Sequence, residues 1–158
     1  MRVLSPQELP PRLARQKLPT DGLCPLFNHL RYRVLLSDSL STNELMRIFR
    51  EFAEAMSSSG PLVLLCDGYS GWRYVPASVK TRALLVSDAS EAEQFVRVRS
   101  YFRRNVFDNY YVCDESVAWV ALFCHDDDVH FWLSARAWKR PPTQRWLTKE
   151  GLEPMMPW

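Results

Sequence analysis

The spacing of apolar and polar positions changes period several times along the chain, and each change marks an element. Three apolar, aromatic-rich runs at 110–113, 117–124 and 129–134 are separated by two short acidic breaks, Asp114-Glu115-Ser116 and Asp126-Asp127-Asp128. Breaks this short join antiparallel neighbours, because a parallel pair needs a crossover of about a dozen residues or more. The runs therefore predict a three-stranded antiparallel meander. In its middle run Trp119, Ala121 and Phe123 point one way, and Ala118, Val120, Leu122 and Cys124 the other. Both sets are apolar, which predicts an interior strand covered on both faces.

Upstream, the period lengthens to that of a helix. Leu45, Ile48, Phe49, Phe52 and Met56 recur at spacings of three and four and form one apolar stripe. The stripe is preceded by a start signal. Ser41 fits the N-cap and Glu44 the third helical position, a capping box, and Leu40 with Leu45 fits a hydrophobic staple. Gly60 and Pro61 end the helix. A second helix is expected from Asp88 or Ser90 to about residue 105, capped by Asp88 with Glu91 or by Ser90 with Glu93. Its buried stripe would be Phe95, Val98, Phe102 and Val106, with Arg97 and Arg104 on the far side and Arg99 and Arg103 flanking. Short apolar runs at 32–36, 62–66 and 83–86 read as strands. The order β-α-β-β-α-β-β-β makes an α+β fold: a mixed or antiparallel sheet, two amphipathic helices and the C-terminal meander.

Prolines set the outer boundaries. Pro6, Pro10, Pro11, Pro19 and Pro25 make residues 1–29 an N-terminal arm, extended over the domain or partly disordered. Residues 30–137 form the α+β core domain. Residues 138–158, with Trp138, Pro141, Pro142, Trp146, Pro154, Pro157 and Trp158, are a tail packed on or flanking that core. It reads as loop, with a short helix near 143–150.

The chain has 158 residues, 47% apolar and 24% charged, which suits one soluble domain. Twenty basic and 18 acidic residues leave a net charge of +2. That is too balanced to point to nucleic acid through bulk electrostatics. The distribution is uneven, with Arg2, Arg12, Arg15 and Lys17 at the start and Arg136, Lys139, Arg140, Arg145 and Lys149 near the end. Cys24, Cys66, Cys113 and Cys124 form no C-x-x-C pair and read as buried thiols of a reducing compartment. No apolar run approaches the ~20 residues that span a bilayer. Prolines and arginines interrupt the first residues where an export signal would be apolar. The expectation is a cytoplasmic protein with no membrane partner.

Few constellations carry chemistry. His125, Asp126, Asp127, Asp128 and His130 are metal-ligating types at close spacing, but the spacing matches no metal motif and Asp is an ordinary turn residue. The turn reads as a solvated hairpin tip or a docking knob, with no metal. Cys66-Asp67-Gly68-Tyr69-Ser70-Gly71-Trp72 follows a strand, where ligand loops often sit. It lacks both glycine-rich phosphate signatures. Cys66 as a nucleophile would need His29, His125 or His130 as its base; a buried thiol is the simpler reading. Trp72 and Tyr74 would close over the core or face a partner. Arg97, Arg99, Arg103 and Arg104 could meet phosphates or an acidic partner, or form a solvated face whose stems cover the sheet. G-x-S-x-G and H-E-x-x-H are absent. No cofactor is expected, and the reading leans away from an enzyme.

The apolar-Trp-apolar strand around Trp119, the His-Asp turn and the aromatic strand that follows, together covering 119–133, resemble small bacterial immunity proteins of polymorphic-toxin and contact-dependent inhibition systems. That resemblance implies a cytoplasmic, non-enzymatic module that binds a cognate toxin domain and blocks its site. Asp114, Glu115, Asp126, Asp127 and Asp128 would then mimic a phosphate backbone toward a cationic nuclease, with His125, Trp72 and Tyr74 beside them. Inhibitors of nucleases are often strongly acidic and this chain is slightly basic, so either the toxin is of another kind or a local acidic patch acts. Two other readings stay open: a small enzyme with a site near residues 66–72, and a nucleic-acid-associated protein that uses the arginine-rich second helix.

Overall fold

Seven strands pair edge to edge in the order β1-β4-β3-β5-β6-β7-β2, each antiparallel to its neighbours. They are β1 (Arg2–Val3), β2 (Tyr32–Leu36), β3 (Leu62–Asp67), β4 (Leu84–Val86), β5 (Asn109–Asp114), β6 (Trp119–Cys124) and β7 (Val129–Leu133). The helices are α1 (Thr42–Met56), α2 (Ala89–Arg99), α3 (Ala135–Trp138) and α4 (Pro141–Glu150), with a short 3-10 turn at Pro6–Glu8. This computed structural model describes residues 2–9, 11, 30–36, 40–56, 60–67, 83–99, 109–124, 129–153 and 155. The class is α+β, with the meander β5-β6-β7 inside the sheet.

The topology follows from where the helices must cross. Counting antiparallel steps, β2 and β3 run the same way with β5, β6 and β7 between them. The β2-to-β3 connection therefore crosses the sheet, and α1 lies on the face it crosses: Phe49 packs edge-on to Phe123, and Phe52 edge-on to Trp119. By the same count β4 and β5 are parallel across β3, and α2 lies against β3 and β4.

One sheet face carries Val34, Leu36, Leu62, Leu64, Val112, Trp119, Ala121, Phe123, Val129, Phe131 and Leu133 into a core shared with all four helices. The opposite face carries Val63, Leu65, Tyr111, Cys113, Val120 and Leu122 into a second cluster, which Leu4 and Leu30 join. The two-faced burial expected of the 117–124 run is present in β6. The alternation breaks just before it. Val117 has φ 50° and is fully buried, so the chain twists there and Ala118 falls on the helix side with Trp119. A β-branched residue in the left-handed region is strained, and its burial in the second cluster holds it there.

Local signals built α1 as the sequence predicts. Ser41 N donates to Glu44 Oε2 at 3.0 Å and Glu44 N donates to Ser41 Oγ at 3.4 Å, completing the capping box. All five stripe residues are buried. At α2 the Asp88–Glu91 alternative holds: Glu91 N donates to Asp88 Oδ1 at 2.8 Å and Ser87 N to Glu91 Oε2 at 2.7 Å. Phe102, Val106, Arg103 and Arg104 lie outside the described residues, as do the side chains of Phe95, Arg97, Val98 and Arg99.

The N-terminal end differs from expectation. Arg2–Val3 is a strand and extends the sheet beyond β4, with Leu4 N donating to Ala83 O at 2.9 Å. The short helix expected near 143–150 is present, starts slightly earlier, runs from Pro141 to Glu150 and buries Thr143, Trp146 and Leu147. Prolines at the first two helical positions do not oppose a helix, because those N–H groups have no intrahelical acceptor. The helix ends at Gly151, φ 63°. There Gly151 N donates to Thr148 O and Leu152 N to Leu147 O, a Schellman closure with Leu147 and Leu152 in the same apolar cluster. No helix among the described residues is long and apolar enough to cross a membrane.

Candidate functional site

The seam between α1 and α4 brings together charged groups from two distant parts of the chain. Trp146 anchors it from below, 4.8 Å from Phe52 of α1 and 5.1 Å from Phe131 of β7 by ring centroid. Above the rings, Arg47 Nη1 and Nη2 donate to the two carboxylate oxygens of Glu150 at 3.0 and 2.9 Å, and Arg47 also reaches Glu51 at 3.1 Å. Lys149 donates to Glu51 from the other side. The Lys149 bond, then Arg47, holds the Glu51 carboxyl below the usual carboxylate range. Arg140 Nη1 donates to Met56 O at 2.8 Å and so closes the C-terminus of α1.

Beside this clasp lies a cavity of about 500 Å3, lined by Glu51, Glu54 and Ala55 of α1 and by Arg140, Pro142, Arg145, Trp146 and Lys149. Its cations and carboxylates are interleaved. Glu54 and Arg145 are exposed and make no ion pair among the described residues, so both remain available to a ligand. Arg136 and Lys139 are exposed on the preceding turns. From residue 135 to 149 the chain has five cations and no carboxylate.

The residues singled out from sequence are largely not part of this seam. Asp114 serves its own turn: Oδ1 accepts from Ala118 N at 2.8 Å, Oδ2 accepts from Ser116 Oγ, and its carbonyl accepts from Val117 N. Both carboxylate oxygens are thus engaged inside the hairpin. Glu115 is exposed at the rim of a second cavity of about 370 Å3, with Arg2, Glu8 and Leu85. His125, Asp126, Asp127, Asp128, Trp72 and Tyr74 lie outside the described residues, as does the side chain of Cys66. Arg97 and Arg99 lie on α2 by backbone.

His130 is buried on the second sheet face, where its Nδ1 accepts from Arg33 Nε at 2.8 Å. The Arg33 guanidinium also sits 6.0 Å over the Trp132 ring. Among the described residues no group of three His, Cys, Asp or Glu side chains is placed to hold a metal ion. Cys113 is buried, its thiol donates to Val63 O, and burial, then Asp114, pushes its pKa up, which disfavours a thiolate nucleophile there.

The seam escaped sequence reasoning although its charges were visible. Five cations near the end register as composition; only a helix aligns Arg145 with Lys149, and only packing sets them against Glu51 and Glu54. A helix near 143–150 is expected from sequence; the unused signals are Pro141-Pro142 as its start and Thr143, Trp146 and Leu147 at spacings of three and four as its buried face. Compared with known protein families, curated proteins and solved structures, the chain matches none.

Proposed function

We propose that the chain is a non-enzymatic protein-binding module, and that its partner is a cognate bacterial toxin domain which it neutralises in the cytoplasm. The observation that carries the binding reading is the α1–α4 seam: a concave, mixed-charge surface with a carboxylate and a guanidinium that make no ion pair among the described residues, mounted on two helices clasped by ion pairs. A rigid backing with free charges at its rim is what electrostatic recognition of a folded partner requires. The toxin as partner class rests on the resemblance of residues 119–133 to immunity proteins.

Interleaved charges favour a protein over a nucleic acid. A strand of duplex DNA carries a phosphate about every 3.4 Å of axis, and Glu54 would repel such a run. The Asp114 carboxylate is engaged by its own turn, so the seam is placed ahead of that tip as the contact surface, with Asp114 kept as a further contact candidate. Glu115 and residues 125–128 remain further contact candidates.

The test is co-expression with the product of the adjacent gene, followed by size exclusion and a toxicity assay. A stoichiometric complex that abolishes toxicity is expected. Arg145→Glu should weaken it by about 3- to 10-fold with a shallower salt dependence and an unchanged melting temperature, because an attraction that salt screens is replaced by a repulsion that salt relieves. Full protection without a complex would refute the reading.

A further inference from the structure

We propose that the open edge of β2 is an acceptor for an extended strand, and that the segment following α4 occupies it when no partner strand is present. Among the described residues the sheet has two edges. One is β1, only two residues long and a poor template. The other is β2, five residues paired along one side with β7.

Its other side is held lightly. Met155 N donates to Arg33 O at 2.8 Å, an antiparallel bridge. Among the described residues this is the backbone bond on that side. Alternate residues of a strand turn their N–H and C=O to opposite edges. With Arg33 turned outward, Leu35 directs its own N–H and C=O to the same side, where they have no backbone partner among the described residues, while Val34 and Leu36 serve β7. An edge strand with unpaired groups is a template for another chain unless something covers it. Here the cover follows Gly151 and Leu152, which end α4 in a left-handed turn, and it meets β2 at Met155.

The seat also defines the guest. It is a partner's extended segment, antiparallel to β2, with backbone bonds at Arg33 and Leu35. Opposite Arg33 it carries an apolar side chain, as Met155 does, because residues directly opposite share a face. The Arg33 head group is already committed to His130 and the Trp132 ring, which leaves its aliphatic stem beside the guest. This edge lies apart from the α1–α4 seam and does not depend on that surface or on a toxin partner.

A chain ending at Glu153 keeps Leu152, and with it the closure of α4, but lacks Met155. The probe is a fluorescein-labelled peptide of residues 152–158, read by anisotropy. It should bind the shortened chain, and slow amide exchange at Leu35. The same peptide N-methylated at the position of Met155 loses the donor to Arg33 O and should bind at least about fivefold more weakly, the scale of one backbone hydrogen bond. The full chain should bind the probe about tenfold or more weakly, because its tethered segment competes at an effective concentration of about millimolar. The full-length Met155→Pro variant removes the same donor without shortening the chain and should bind like the shortened one. If neither variant binds the probe at about 1 mM while both stay folded, or if N-methylation changes nothing, the edge is not a strand acceptor.

Discussion

Replacing Trp146 separates two contributions of opposite sign within one side chain. The ring is 4% exposed and touches Phe52 and Phe131, so it ties α4 to both α1 and β7. Its Nε1–H is buried and has no hydrogen-bond partner among the described residues. An unpaired buried donor costs about 1–3 kcal/mol. Trp146→Phe removes that cost, and with it about 50 Å2 of buried ring worth roughly 1 kcal/mol, plus about 1 kcal/mol for the small void left behind. The terms nearly cancel, and the expected change is within about 1 kcal/mol of zero. Trp146→Ala has no such compensation and should cost about 3–5 kcal/mol. Against a total stability of about 5–15 kcal/mol, that is a large fraction. Urea unfolding followed by far-UV circular dichroism measures both variants, with an unchanged slope required for the comparison. For a chain of this size the Ala variant should also melt about 6–20 °C lower. If Trp146→Phe proves as costly as Trp146→Ala, the indole N–H is contributing to stability and the reasoning fails.

Three further outcomes follow from local geometry. Because Lys149 and Arg47 hold the Glu51 carboxyl below its unfolded value, its stabilisation is present above the unfolded pKa of about 4.3 and is lost as pH falls through the folded value; Glu51→Gln should therefore show a smaller drop in melting temperature between pH 7 and pH 3 than the parent chain. Gly151→Ala meets no atom within 4 Å of the added carbon, so only the left-handed φ of 63° is at stake; it should cost about 1–2 kcal/mol, seen as a melting point lower by roughly 2–8 °C. Iodoacetamide at pH 8 should leave Cys113 unmodified in the folded chain and alkylate it after denaturation, as peptide mass mapping would show; rapid native labelling would contradict its burial.

The α1–α4 seam is held together by residues far apart in sequence. Arg47 and Glu150 are 103 positions apart, Lys149 and Glu51 are 98. A perturbation of either helix is therefore expected to reach the proposed binding surface, whereas the β2 edge depends on the closure at Gly151.

What could be read from sequence was whatever closes within a few residues. The Ser41–Glu44 box spans three positions, the α1 stripe repeats every three or four, and the meander runs are joined by breaks too short for any other pairing. The α+β class follows from those signals. Strand order does not. Nothing local places β2 beside β7, with Arg33 reaching His130 across 97 positions, or gives Arg2–Val3 a place next to β4. A two-residue strand has no period to detect, and the pairing is decided by burying both sheet faces at once. The seam was hidden for the same reason. Arg145, Lys149, Glu51 and Glu54 are ordinary surface residues on their own helices, and they form one surface only because Trp146 packs between Phe52 and Phe131.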